Sequence, residues 1–302
     1  MFSNKLYSPL RYPGGKARFA PFIADIMRCN NLDNGHYLEP YAGGAGVALE
    51  LLFQGHASHI HINDSDPAVN AFWKSVTLEP ETILKLLKDT PINIEQWHHW
   101  RAVMLGQILD VTNAEKGFAT LFINRTNRSG ILKGGVIGGK NQLGTYKLDA
   151  RFNKDMIASR IERIAKNSSN INVYCEDAAN LLKRCTEFLP PNSLIYLDPP
   201  YYVKGQGLYR NFYKHEDHIE IALLLQSDKF ERNWVVSYDN APEICEMYSN
   251  NKALTYGLHY TAQKRYIGDE VMFFQEGLAI PNSSLPQAQR QLEIFSSAAL
   301  DQ

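Results

Sequence analysis

The sequence predicts an α/β protein built on a doubly wound, mostly parallel, seven-stranded Rossmann-like sheet. Short apolar, β-rich runs alternate with segments of helical pattern, which is typical of parallel sheets covered by helices on both faces. No helical pattern separates the last two apolar runs, so we expect an antiparallel hairpin at one edge of the sheet. The alternation stops between residues 80 and 166, which indicates an insertion.

The strands are predicted where short apolar runs end at turn signals. In chain order they cover 37–39, 59–63, 171–175, 194–197, 234–238, 254–260 and 271–274. Helices that connect consecutive strands are predicted over 47–53, 178–188 and 217–227. Each helix follows a strand, as βα units require.

The insertion divides the chain into three parts. Residues 1–80 and 167–276 form the predicted main domain, and residues 81–166 form an inserted, mostly helical domain that ends in a glycine-rich basic run. For that run we expect a loop or hairpin facing a ligand. The tail, 277–302, is rich in proline and serine at its start and is expected to be loosely ordered.

Composition excludes several classes of protein. The 302 residues are 44% hydrophobic and 21% charged, as in ordinary soluble domains, and no apolar run is long enough to span a membrane. The N-terminus lacks the apolar core of a signal peptide. The four cysteines are scattered without CxxC spacing, so we expect reduced thiols in a cytoplasmic protein.

The charge of the chain is distributed unevenly. Residues 124–166 contain ten Lys/Arg against three Asp/Glu, which gives +7, although the whole chain carries −1. Such asymmetry indicates a face that binds a polyanion. A solvated helix face is the alternative; it suits 160–166 but not the glycine-rich part before residue 147.

Asp198-Pro199-Pro200-Tyr201 directly follows the predicted strand 194–197. This pattern places a carboxylate, a rigid backbone carbonyl and an aromatic ring at the carboxyl edge of the sheet, where ligands bind in open α/β folds. An exocyclic amine on a planar base needs such a set, because its two N–H groups need acceptors and its ring needs a stacking surface. A strand end capped by a Pro-Pro turn is the alternative.

A second ligand site is predicted at the first βα junction. The glycine turn over 39–46 allows close approach of the backbone to a ligand, and Asn63-Asp64 ends the next strand with a carboxylate that can accept from ribose hydroxyls. This geometry alone leaves a dinucleotide cofactor open.

Five motifs in this order resemble the Dam-type (alpha-group) DNA N6-adenine methyltransferases. They are Arg11-Tyr12-Pro13-Gly14-Gly15-Lys16, the glycine turn, Asn63-Asp64, Asn124-Arg125-Thr126 and Asp198-Pro199-Pro200-Tyr201. The resemblance implies a catalytic domain over 1–80 and 167–276, a DNA target-recognition domain over 81–166, and S-adenosylmethionine as cofactor. It covers about residues 10–274.

The resemblance also assigns the cofactor contacts. Those implied are Tyr12, Lys16, Glu39, Gly43, Asp64, Asp177 and Asp198. Tyr12 stands where many members have tryptophan. Simpler interpretations are a surface turn for Tyr12 and Lys16, a charge near a helix N-terminus for Glu39, and a helix cap for Asp177.

The catalytic residues implied are Asp198, Pro199 and Tyr201. The N6 lone pair of adenine is delocalised into the ring, so acceptance of both N–H hydrogens by the Asp198 carboxylate and the Pro199 carbonyl would localise it. Tyr201 would stack on the flipped base. No metal is required; His215 and His218 lack further ligands and are expected to face solvent.

The DNA-binding residues implied lie in the basic run and just before it. They are Arg125, Arg128, Ser129, Lys133, Lys140, Lys147 and Arg151. Arg128 replaces an intercalating aromatic of better-known members, and Lys133 replaces a base-reading arginine, so the resemblance does not carry over the GATC target. Interleaved aromatics and cations over 202–214 indicate a lid, and Arg265 is a further candidate for a phosphate contact.

Duplex DNA is the expected partner of a monomeric enzyme, with a separately encoded restriction endonuclease as a further partner. Three alternatives stay open at this point. They are N6 methylation of structured RNA, a catalytically idle DNA-binding homologue, and a nicotinamide-dependent dehydrogenase.

Overall fold

The structure, a computed structural model, describes residues 7–12, 15–203, 213–260, 266–282 and 291–294. Pro13 and Gly14 of the N-terminal motif, most of the predicted lid (204–212) and Arg265 therefore lie outside the described residues. No helix in the described part of the chain is long and apolar enough to cross a membrane.

One mixed sheet organises the chain. Its strands are β1 (Gly35–Glu39), β2 (Ala57–Asn63), β3 (Ile171–Tyr174), β4 (Ser193–Leu197), β5 (Asn233–Asp239), β6 (Lys252–Tyr260), β7 (Tyr266–Phe274) and β8 (Gln291–Ile294). The order is β3-β2-β1-β4-β5-β7-β6-β8. The pairs from β3 to β5 are parallel, and those involving β7 or β8 are antiparallel. The first seven strands confirm the predicted fold class, including the hairpin of β6 and β7.

Helices cover both faces of this sheet. They are α1 (Ala20–Cys29), α2 (Gly46–Phe53), α3 (Pro67–Leu78), α4 (Pro80–Asp89), α5 (Ile94–Met104), α6 (Asn113–Thr126), α7 (Lys154–Ala165), α8 (Ala178–Lys183), α9 (His215–Leu225) and α10 (Pro242–Met247). Alternate residues of the central strands enter two separate cores, one against α1 to α3 and the other against α8 to α10. This two-sided burial is why β4 is buried along its whole length and is apolar after Ser193.

The inserted helices α4 to α7 share the first of these cores. A capping box starts α6, in which Thr112 Oγ1 accepts from the Glu115 N–H (3.2 Å) and the Glu115 carboxylate accepts from the Thr112 N–H (2.7 Å). Helix α6 crosses α3 closely at Gly117, where a Cβ atom would lie 2.7 Å from the Ala71 carbonyl oxygen. The insertion therefore packs on the sheet's own helices.

Two features differ from the sequence interpretation. Helix α6 continues through Thr126, so the motif Asn124-Arg125-Thr126 ends a helix and the loop of the basic run begins at Asn127. The start of the predicted loose tail is packed, because Leu278 is buried and the Ala279 N–H donates to Asn30 Oδ1 (2.8 Å). Strand β8, within the same tail, adds an eighth strand beside β6.

Candidate active site

Asp198 lies directly after β4, at the carboxyl edge of the sheet. The contacts of its side chain with the described residues fall on Oδ1, which accepts from Ser237 Oγ (2.8 Å) and lies 3.6 Å from Lys16 Nζ. The Tyr196 hydroxyl bonds to Ser237 Oγ in turn (2.9 Å). Burial raises the pKa of Asp198 to about 6, while Lys16 acts in the opposite direction. Oδ2 is thus left to serve as an acceptor.

The loop after Asp198 is held from β5. Both carboxylate oxygens of Asp239, a buried residue, accept backbone N–H groups, those of Tyr202 (2.9 Å) and Val203 (3.0 Å). Within the described part of the chain, no N–H group donates to the Pro199 carbonyl. The predicted second acceptor is therefore present on a fixed loop.

Tyr201 is 6% exposed, and its hydroxyl donates to Glu270 Oε1 (2.5 Å). Glu270 lies in β7 and is fully buried. With so little of the ring exposed, an adenine could stack on it only after neighbouring side chains move. Tyr201 thus lies on the loop after Asp198, as predicted, but its ring is enclosed by protein.

Lys16 is also buried, and it connects these residues. Its ammonium forms an ion pair with Glu270 and lies 3.3 Å from the Tyr201 hydroxyl. Tyr256 OH donates to the same Glu270 carboxylate (2.8 Å). The alternative of a surface turn is therefore wrong for Lys16, whose predicted contact with a cofactor stays a prediction.

A row of carboxylates follows the parallel strands along the same edge. Glu39 ends β1, Asp64 follows β2, Asp177 follows β3 and Asp198 follows β4. Because the carboxyl ends of adjacent parallel strands lie side by side, these groups surround one stretch of the edge. Such a set of hydrogen-bond acceptors fits a nucleoside that carries positive charge and free hydroxyl groups.

Glu39 is almost completely buried. Its Oε1 accepts from the Ala48 N–H in the first turn of α2 (2.9 Å) and from the Tyr37 hydroxyl (3.1 Å). Burial, together with the charge of Asp198, raises the pKa of Glu39 to about 8 against the opposing effect of these two hydrogen bonds. The alternative interpretation, a charge near a helix N-terminus, is correct for its position.

Asp64 holds the glycine turn. Its Oδ2 accepts from the Gly43 N–H (3.0 Å) and its Oδ1 from the Asp66 N–H (2.9 Å), and burial raises its pKa to about 7. Gly43 has φ +46°, and a Cβ atom there would lie 2.7 Å from the ring of Tyr12. Close packing of Tyr12 on this turn explains why the position is glycine.

Asp177 is exposed and caps α8. Its Oδ1 accepts from the backbone N–H groups of Ala179 (3.0 Å) and Asn180 (3.2 Å). This geometry confirms the helix-cap interpretation. Its second carboxylate oxygen is left for the predicted contact with the cofactor, which stays a prediction.

The basic segment presents five of its predicted DNA contacts to solvent. Arg128, Lys133, Lys140, Lys147 and Arg151 are exposed, whereas Ser129 is half-buried with φ +55°. Exposure along the loop after α6 is what a phosphate-binding face requires.

The position of Arg125 corrects the expectation that its side chain faces DNA. It lies in the last turn of α6, is 4% exposed, and its Nε donates to the Pro9 carbonyl oxygen (2.6 Å). Burial, with the nearby charges of Arg160 and Arg11, lowers its pKa to about 9. The apolar surroundings of α6 continue to the helix end, so Arg125 braces the N-terminal segment and does not face a duplex in this conformation.

Asn124 and Asn127 build the loop from within. The Asn124 side-chain amide donates to the Arg11 carbonyl oxygen (2.8 Å), and its oxygen accepts the Arg11 N–H (2.7 Å). Asn127 Nδ2 donates to the carbonyl oxygens of Ile131 and Gly134 (both 2.9 Å). The residues 124–127 therefore connect the loop after α6 to the N-terminal motif.

The expectation for His218 is wrong, because this residue is 1% exposed and its Nδ1 lies 3.2 Å from the hydroxyl of Tyr238. Burial lowers the pKa of His218 to about 4, which makes it a neutral core histidine. His215, the other member of the pair, is exposed. No group of three or more His, Cys, Asp or Glu side chains suited to a metal ion occurs among the residues that the structure describes.

Sequence reasoning missed three functional neighbours, Ser237, Asp239 and Glu270. Ser237 lies near the end of the predicted strand 234–238 and Asp239 directly follows it, so their place at the carboxyl edge was an available signal. Glu270 precedes an apolar run, where a charge usually marks an exposed strand end, and it carried no such signal.

Residues 12–267 match the model of the family described as D12 class N6 adenine-specific DNA methyltransferase. The Type II methyltransferase M.MjaIII of Methanocaldococcus jannaschii is 23% identical over 207 residues, which cover 64% of this chain and 68% of that protein. A Listeria monocytogenes structure described as a class I S-adenosylmethionine-dependent methyltransferase is 10% identical, with a TM-score of 0.38, over 94% of this chain and 66% of that one. A Legionella pneumophila structure is 13% identical, with a TM-score of 0.28, over 86% of each chain.

Proposed function

The chain belongs to the D12 class of N6 adenine-specific DNA methyltransferases, and on that premise we propose that it methylates the N6 atom of an adenine flipped out of duplex DNA, with S-adenosylmethionine as the methyl donor. The observation that carries this proposal is the state of Asp198. Its Oδ1 is held by Ser237 while Oδ2 is left for a substrate, on a strand end followed by Pro199, Pro200 and Tyr201.

Two acceptors on this loop account for activation of the amine. Asp198 Oδ2 would accept one N6 hydrogen and the Pro199 carbonyl oxygen the other, which draws the lone pair out of the purine ring. Pro199 and Pro200 fix their own φ angles, and Asp239 fixes the two residues after Tyr201. The acceptors are thus aimed before the base arrives, which lowers the cost of reorganisation in the transition state.

The cofactor, when bound, supplies an electrophilic methyl group on a sulfonium. The chain's own contribution is to hold it against the strand ends. Asp64 and Asp177 would accept from hydroxyl and amino groups, and Tyr12, packed on Gly43, would contribute an aromatic wall. Tyr201 would stack on the adenine once the cleft opens.

The exposed cations of the insertion would hold the duplex. Lys140, Lys147 and Arg151 suit phosphate contacts, since these contacts need exposure and charge but no sequence information. Arg128, at the position of an intercalating aromatic, would fill the gap left by the flipped base, and Lys133 would read a base edge. The likeness to a Type II methyltransferase supports a separately encoded restriction endonuclease as a partner.

The test is methyl transfer by the purified chain from labelled S-adenosylmethionine to duplex DNA, with detection of N6-methyladenine. We expect transfer by the wild type and loss of more than about a hundredfold in Asp198→Ala, because one of two acceptors is gone. Asp228→Ala, which removes an exposed carboxylate, is the matched control and should remain active.

Each alternative has its own outcome in this assay. If structured RNA is methylated and DNA is not, RNA is the substrate. Spectral titration with NADH would detect a dehydrogenase. A wild type that binds DNA but transfers nothing, or full activity of Asp198→Ala, would refute the proposal.

A further inference from the structure

Glu270 is a fully buried carboxylate in the middle strand of the β5-β7-β6 pairing. It stands opposite Asp239 of β5 and Tyr256 of β6. Three donors converge on it, namely the Lys16 ammonium, the Tyr201 hydroxyl and the Tyr256 hydroxyl. No feature of the sequence singled it out.

A buried carboxylate is costly unless it is paired and hydrogen-bonded, so its donors show what it serves. Two of these donors come from the motifs that define the site. Lys16 belongs to the N-terminal motif and Tyr201 to the catalytic one, and they lie 254 and 69 positions away in the chain. A role in packing β7 alone would not require these two partners.

We propose that Glu270 is the positioning residue of the active site: its carboxylate fixes the ring of Tyr201 and holds Lys16 partly away from Asp198, without touching the substrate. This inference rests on the proposed methyl transfer. Tyr201 is held at one end by the Pro-Pro backbone and at the other by Glu270, which leaves its ring one orientation.

The second consequence is electrostatic. Lys16 Nζ forms its close contact with Glu270 and lies 3.6 Å from Asp198 Oδ1. Without Glu270 this ammonium would pair fully with Asp198 and compete with the amine for the carboxylate. Glu270 thus keeps Asp198 a usable acceptor.

The titration of Asp198 reports on this arrangement. The titratable groups around Asp198 are Lys16, Tyr37, Glu39, Tyr196, Tyr256 and Glu270. Near pH 6 the three tyrosines are neutral, because burial raises their pKa values, and Glu39 is neutral with a pKa of about 8. The charge of Glu270 raises the pKa of Asp198 and that of Lys16 lowers it.

The experiment compares Glu270→Gln, Tyr201→Phe and the double variant in single-turnover methyl transfer from pH 5 to 8, with cofactor and duplex saturating. Glu270→Gln keeps the shape of the side chain and removes its charge. For Glu270→Gln we expect the rate of methyl transfer to fall by up to about tenfold. The dissociation constants should stay similar, since misplacement of a contact group costs rate and not binding. The losses of Glu270→Gln and Tyr201→Phe should be less than additive, because each removes the charge-assisted hydrogen bond between these two side chains.

Glu270→Gln should also move the acid limb of the rate profile to lower pH, since the charge that raises the pKa of Asp198 is gone. The same midpoint can be followed without turnover by ¹³C NMR of carboxyl-labelled protein, with Asp198→Asn to assign the signal. Glu50→Gln is the control, because Glu50 is another buried glutamate, in α2, outside the site. It should move neither rate nor midpoint.

The outcomes separate the two proposals. A wild type without methyl transfer refutes the proposed function, whatever the midpoint. In an active enzyme, an unmoved Asp198 midpoint with fully additive losses would make Glu270 a packing residue and overturn this inference. If Glu270→Gln does not fold, Tyr201→Phe decides, since a wild-type rate in that variant would show that the hydroxyl contact positions nothing.

Discussion

Glu39 ends β1 with its carboxyl group enclosed by protein, and replacing it with glutamine should change how stability depends on pH. In the folded chain its pKa is raised from 4.5 to about 8 by burial. A carboxyl group with a raised pKa stabilises the fold fully below its unfolded pKa, and that contribution is lost as pH rises through the folded pKa. A difference of one in pKa between the folded and unfolded states corresponds to 1.36 kcal/mol. The free energy of unfolding of the wild type should therefore fall by up to about 5 kcal/mol between pH 4.5 and 8.

Glu39→Gln keeps an oxygen that can accept from Ala48 N–H and Tyr37 OH, and it has no proton to lose. The variant should therefore resemble the wild type near pH 5 and be several kcal/mol more stable at pH 9. Urea unfolding at pH 5, 7 and 9, followed by tryptophan fluorescence, measures the difference. Glu162→Gln, an exposed site on α7, is the control. A constant difference between wild type and Glu39→Gln across this range would refute the reasoning.

Three further predictions concern ligands. Asp64→Ala should weaken S-adenosylmethionine binding about tenfold or more, because a charge-assisted hydrogen bond is lost; an unchanged dissociation constant by calorimetry would make Asp64 only a brace for Gly43. Lys140→Ala should weaken binding to all DNA sequences alike and reduce the dependence of log affinity on log salt concentration by about one phosphate contact. Fluorescence anisotropy measures this slope, with Lys183→Ala as the control, and an unaltered slope would contradict the prediction. Arg128→Ala should slow methylation of duplex DNA more than of single strands, whereas equal slowing would indicate a simple phosphate contact.

The sequence was sufficient for features that depend on local pattern. Alternating β and α segments predicted the sheet, and Asp64 and Asp198 were expected at its carboxyl edge because each directly follows a predicted strand. The structure places both there. For Asp64 and Asp198 the pattern that predicts their place lies within a few residues of each carboxylate.

Features that depend on long-range packing were not predictable. Arg125 resembled a loop cation because Gly130 and later glycines follow it, yet α6 is buried on all sides to its last turn. Lys16 resembled part of a surface turn because its buried partner, Glu270, lies 254 positions away. A single sequence carries no sign of such pairing when the partner stands at the start of an apolar strand.

Among the residues that the structure describes, the carboxyl edge of the sheet holds more buried carboxyl groups than cationic side chains. Glu39, Asp64, Asp198 and Glu270 meet there, and Lys16 is the cation among them. Burial is the largest of the causes that raise the pKa values of the first three, to about 8, 7 and 6. A ligand that brings a sulfonium and an ammonium would offset this excess, because opposite charge favours the ionised form of each carboxyl group. Burial raises these pKa values, and the same low-dielectric surroundings would strengthen the attraction between an ionised carboxylate and a cationic cofactor.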